Sequence, residues 1–93
     1  MLFLLINETK SGLTEEDYRF LRNMMGGFYG SIPQGIRLIG DYATLDKKKV
    51  FAILEAESME KIEEIKAPFE RYVNIEVIPV EPTEPFKKMI KQL

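Results

Sequence analysis

The chain contains no cysteine, no histidine and no tryptophan. Without thiols there is no disulfide, no thiolate nucleophile and no sulfur-ligated metal. The missing imidazole is the sharper constraint, because it removes the commonest general base and metal ligand; Ser-His-Asp triads, most zinc sites and His-ligated haem are excluded. Long hydrophobic runs are missing as well. The longest, Met1–Ile6, is too short to span a bilayer and lacks the charged start and cleavage pattern of a signal peptide. Neither sign of charge dominates: Lys+Arg 13 against Asp+Glu 15 gives net −2, which supplies no general attraction to nucleic acid or anionic membrane. These absences point to a soluble cytoplasmic protein with no membrane partner, no metal and no cofactor.

What is present is 93 residues, the length of one domain. The expected division is a core over 1–81 and a C-terminal helix over 82–93. A core of this size is modestly stable alone, and a partner subunit would add buried surface. Four strand-like segments lie near Leu2–Glu8, Ile36–Ala43, Lys49–Glu57 and Val73–Val80. Alternate residues of a strand face opposite sides. One phase is almost wholly apolar: Leu2, Leu4 and Ile6; Ile36, Leu38 and Gly40; Val50, Ala52, Leu54 and Ala56; Val73, Ile75 and Val77. The other interleaves Phe3, Leu5, Ile39, Phe51, Ile53 and Ile78 with Asn7, Arg37, Asp41, Glu55, Asn74 and Glu76. The first phase is expected under helices, and whatever covers the second is expected to define the function.

Between the strands, Thr14 followed by Glu15, Glu16 and Asp17 reads as an N-cap with a capping box, predicting a helix to about Met25. Tyr18, Leu21, Met25 and Phe28 recur at helical spacing. Gly26-Gly27 weakens the helix, and the stretch to Gly35 reads as a loop. Those glycines follow a helix, whereas the dinucleotide fingerprint follows a strand, so nucleotide binding is rejected. A hairpin across Thr44–Lys48 that centres on Asp46 sets Arg37 opposite Glu55. Ser58 caps a second helix with Met59, Ile62, Ile65 and Phe69 as its stripe, ending near Lys66 because of Pro68. Thr83 and Glu84 start a short third helix whose Phe86, Met89, Ile90 and Leu93 share one face.

Strand, helix, strand, strand, helix, strand is the ferredoxin-like α+β arrangement, with a four-stranded antiparallel sheet. Together with the closing segment Ala67-Pro68-Phe69 and Tyr72–Val80, this order resembles the dimeric α/β-barrel superfamily, close to small uncharacterised families within it. The resemblance implies a homodimer in which two sheets pack face to face around a shared interior that binds a small organic ligand. Members of that superfamily include monooxygenases, isomerases, haem-binding enzymes and ligand-binding regulators. The lack of histidine departs from the haem-binding and His-dependent branches, so an enzyme here would be a cofactor-independent monooxygenase or isomerase.

The candidate ligand pocket is Phe3, Asn7, Arg37, Asp41, Phe51, Glu55 and Glu76. Polar groups inside an apolar enclosure must pair, hydrate or meet a ligand. Arg37 suits an anion, and a buried carboxylate suits acid–base work. The plainer alternative is a cross-strand Arg37–Glu55 pair with Asn7, Asp41 and Glu76 at wet barrel ends. A different class of reading comes from Lys49–Glu55, which is similar to the RNP1 motif of RNA-recognition domains, with Leu2–Asn7 loosely similar to RNP2. That resemblance implies Phe3 and Phe51 stacking on bases. The acids around them oppose phosphate, so nucleic acid is disfavoured. A third alternative is a structural or regulatory subunit whose barrel is packed solid.

Overall fold

The structure is a computed structural model describing residues 1–92. Its elements run β1 (Leu2–Thr9), α1 (Glu15–Gly30), β2 (Ile36–Ala43), β3 (Lys49–Ala56), α2 (Met59–Lys66), a 3₁₀ turn (Ala67–Phe69), β4 (Val73–Val80) and α3 (Glu84–Lys91). The strands form one sheet in the order β2-β3-β1-β4, with every pair antiparallel. This is a ferredoxin-like α+β fold. Leu93, expected on the apolar face of α3, lies outside the described residues.

Helix starts follow their local chemistry. The Thr14 hydroxyl accepts from the Asp17 N–H at 3.1 Å while the Asp17 carboxylate accepts from the Thr14 N–H at 2.9 Å, a complete capping box. Ser58 caps α2 by accepting from the Lys61 N–H at 3.4 Å. Pro68 ends the α-helix and tightens the chain into the 3₁₀ turn.

Beyond Met25 the structure departs from expectation. Rather than giving way to a loop, α1 continues through Gly26-Gly27 to Gly30. Each glycine costs a helix interior about 1 kcal/mol relative to alanine. The aromatics just beyond hold the turn in place: Phe28 packs edge-on against Phe69, with ring centres 6.4 Å apart, and against Tyr29 at 5.5 Å.

Two further corrections concern which side of the sheet residues face. In β1, Phe3 and Leu5 are buried, and cross-strand pairing sets Phe3 opposite Leu54 and Leu5 opposite Ala52. The helix side of β1 therefore carries Phe3, Leu5 and Asn7, while Leu2, Leu4 and Ile6 take the open side. Both phases of this strand are apolar, so periodicity alone has no preference. Pairing with β3 decides, because β3 has only small and aliphatic residues, Val50, Ala52, Leu54 and Ala56, to offer the helices. In β2 a bulge between Leu38 and Gly40 shifts the register. Ile36 and Leu38 stay under the helices, but Gly40 moves to the open side and Asp41 to the helix side. Arg37 pairs opposite Glu55, as the hairpin reading expected.

The core sits between sheet and helices. Phe3, Leu54 and Ile62 are its fully enclosed side chains, with Ile36, Ala52 and Ala56 around them and Met59 and Ile65 of α2 on top. A smaller cluster joins Leu21 of α1 to Tyr72 and Val73, backed by Leu13, Met24 and Phe69. Leu21 is the sole buried residue among those described in α1. The long helix is thus pinned at one end of the sheet and stands off from its middle. No helix among the described residues is long and apolar enough to cross a membrane.

Candidate functional site

The sheet positions the predicted site residues on two opposite sides. Residues directly opposite across antiparallel strands share a face. On the open side, one row across the sheet reads Val80, Leu2, Glu55 and Arg37; the next Ile78, Leu4, Ile53 and Gly40; the third Glu76, Ile6, Phe51 and Tyr42; the last Asn74, Glu8 and Lys49. The middle of this face is a continuous apolar patch, and charge is confined to its ends and edges. Arg37 and Glu55 meet at 3.2 Å, and Lys49 reaches Glu8 at 3.7 Å. Both pairs are exposed, each worth about 0–1 kcal/mol. Arg37, Phe51, Glu55 and Glu76 therefore share the open face, and the Arg37–Glu55 contact is the cross-strand ion pair of the plainer alternative.

The other three predicted residues lie on the helix side. Phe3 is a core residue with no exposed surface. This separates it from Phe51 by the thickness of the sheet, so the two aromatics cannot form the base-stacking platform that the RNP resemblance implies. Asn7 points under the helices, where its amide donates to the Val50 carbonyl at 3.2 Å and the Leu5 carbonyl at 3.5 Å. Asp41, on the helix side of β2, neighbours Tyr29 of α1. Burial pushes the Tyr29 hydroxyl above the usual phenol range, and the neighbouring Asp41 carboxylate pushes in the same direction. Asp41 is thereby cut off from Glu55 and Glu76, and the three carboxylates form no common site.

Where α1 stands off from the sheet there is a cleft of about 140 Å³. Its floor is Leu5, Asn7, Val50, Ala52 and Ile75; Leu21, Met25, Phe28 and Tyr29 of α1 form one wall, and Ile65, Lys66 and Phe69 the other. Lys47 and Lys48, from the β2–β3 turn, also line it. An apolar cavity of roughly 150 Å³ accommodates a benzene-sized molecule. The Lys66 ammonium is held by Glu63 at 3.1 Å and Glu70 at 3.2 Å, bonds that raise its pKa and keep it charged. In the sequence, Met25, Phe28, Ile65 and Phe69 read as plain packing stripes. No local signal marks the cleft: Gly26 and Gly27 face open space, away from the lining residues Leu21, Met25, Phe28 and Tyr29 of the same helix.

The chemistry available in this cleft is binding chemistry. It offers an apolar wall, an amide whose donors are turned to backbone carbonyls, and a phenol held protonated at neutral pH. The sequence pattern of the family described as Domain of unknown function (DUF3303) matches residues 1–93. The chain belongs to that family. No curated protein matches this DUF3303 domain in sequence.

Proposed function

We propose that this DUF3303 domain is a homodimeric α/β-barrel module that holds one small organic molecule per protomer in the cleft between sheet and helices. The observation that carries the ligand reading is the apolar cleft itself, bounded by α1, α2 and the sheet and open on one side, with Tyr29, Asn7 and the lysines as its main polar lining. Largely apolar pockets with a few convergent polar groups are the usual form of small-molecule sites.

The dimer reading rests on the open face. Exposed apolar patches of this extent on a sheet mark interaction surfaces. Two sheets packed face to face lie about 10 Å apart. Leu4, Ile6, Phe51, Ile53 and Ile78 from each copy fill that space, so the shared interior is packed by its own side chains. Arg37, Glu55 and Glu76 then rim the interface, and ligand binding moves to the helix side.

A ¹H–¹⁵N NMR titration with toluene, phenol and benzoate tests the ligand reading. The expected result is saturable shifts at Leu5, Ala52, Met25 and Phe69, abolished by Ala52→Leu, which fills the floor. Shifts confined to the open face, or none at millimolar probe, refute it.

A further inference from the structure

Among the described residues, the C-terminal helix contributes nothing to either core cluster of its own protomer. α3 is eight residues long and none of its described residues is buried. Isolated helices shorter than about 12–15 residues are marginal in water, so a helix this short needs a surface to pack on. Its apolar stripe, Phe86, Met89 and Ile90, is about half exposed at 54%, 52% and 49%, and it joins neither core cluster.

The total surface indicates how much covering is missing. The protomer exposes 7002 Å². A compact monomer of 10.8 kDa exposes about 5,500 Å². The excess, on the order of 1,500 Å², falls within what each subunit of an obligate homodimer gives up, roughly 1,000–2,500 Å². The radius of gyration, 15.4 Å, likewise exceeds the value of about 12 Å for a compact chain of this length.

We propose that α3 is an arm that packs on a second copy of this chain, its Phe86-Met89-Ile90 stripe extending the partner's open sheet face. The inference rests on the open-face dimer proposed above. Net charge agrees with that occupant. On α3, Lys87 lies 3.5 Å from Glu84, whereas Lys88 and Lys91 have no acid within salt-bridge distance among the described residues. On the open face, Arg37 is matched by Glu55 and Lys49 by Glu8, which leaves Glu76 without a cation among the described residues. The arm carries a positive surplus and the face a negative one. A two-fold axis satisfies that complement twice, once in each direction.

The test is sedimentation equilibrium on the full chain and on two variants: Phe86→Ser/Met89→Ser/Ile90→Ser in the arm, and Ile53→Asp on the open face. The expected result is a dimeric parent, an arm variant with unchanged circular dichroism whose dissociation constant rises tenfold or more, and a monomeric Ile53→Asp protein. An arm variant that dimerises as tightly as the parent overturns the arm and leaves the open-face dimer standing. A monomeric parent overturns both. Binding of the parent to phosphatidylglycerol vesicles that is lost in the arm variant, with dimerisation unchanged, assigns the stripe to a membrane and overturns the proposal.

Discussion

Phe3→Ala and Leu4→Ala, neighbouring substitutions on one strand, should act on different equilibria. Phe3 is fully enclosed between Leu54 and the helices, whereas Leu4 lies on the open face between Ile53 and Ile78. Removing a buried phenyl ring costs its transfer free energy plus the cavity it leaves, about 3–5 kcal/mol. A domain of 93 residues has roughly 5–14 kcal/mol of stability to lose. With a urea slope of about 1.5 kcal/mol/M, Phe3→Ala is expected to lower the unfolding midpoint by about 2–3 M. Leu4 is half-buried in the protomer and packs against nothing from the helices, so its loss should cost folding about 1 kcal/mol. Its larger effect should be on association, read as a raised dimer dissociation constant in sedimentation. Urea melts on both variants, at several protein concentrations, separate the two equilibria. If Leu4→Ala lowers the concentration-independent stability as much as Phe3→Ala does, Phe3 and Leu5 do not face the helices alone, and Asn7 leaves the cleft with them.

A Cβ added at Gly26 or Gly27 meets nothing within 4 Å, so Gly26→Ala and Gly27→Ala should each raise stability by about 0.5–1 kcal/mol in thermal or urea melts. A loss of stability would mean that α1 does not run through them. The Tyr29 phenol should titrate above its ordinary value of 10.0, followed by absorbance at 295 nm; Asp41→Asn should bring it part of the way back, since burial is the larger cause. Its contribution to stability is full below that ordinary value and falls as pH climbs through the raised one, and a Tyr29 titration unmoved by Asp41→Asn would remove the pairing. The hydrogen bond from the Thr14 backbone N–H holds Asp17 below its ordinary value of 3.8, and those from the Thr44 hydroxyl and Lys48 backbone N–H do the same for Asp46. Both lowered values stabilise the fold above pH 3.8, and that stability is lost as pH falls through them. Melting temperatures from pH 5 to pH 2 should drop less in Asp17→Asn, and an equal drop would show that the capping box is not charge-assisted.

Local chemistry along the chain determined the element order, the capping box at Thr14, the end of α2 before Pro68 and the Arg37–Glu55 pairing, because caps, prolines and hairpin registers act over a few residues. The strand phases of β3 and β4 were equally legible, since only one side of each is free of charge. In β1, where Leu2, Leu4 and Ile6 compete with Phe3 and Leu5, two apolar phases are degenerate, and only pairing with β3 under α2 chose between them. Asp41 changed sides because one bulged residue reverses every side chain that follows. The candidate site divided for the same reason: Arg37, Phe51, Glu55 and Glu76 remained on the open face, while Phe3, Asn7 and Asp41 went beneath the helices. The cleft belongs wholly to the tertiary structure. It exists because α1 is held through Leu21 at one end of the sheet and stands off from its middle, and no local pattern records the distance between a helix and the strands beneath it.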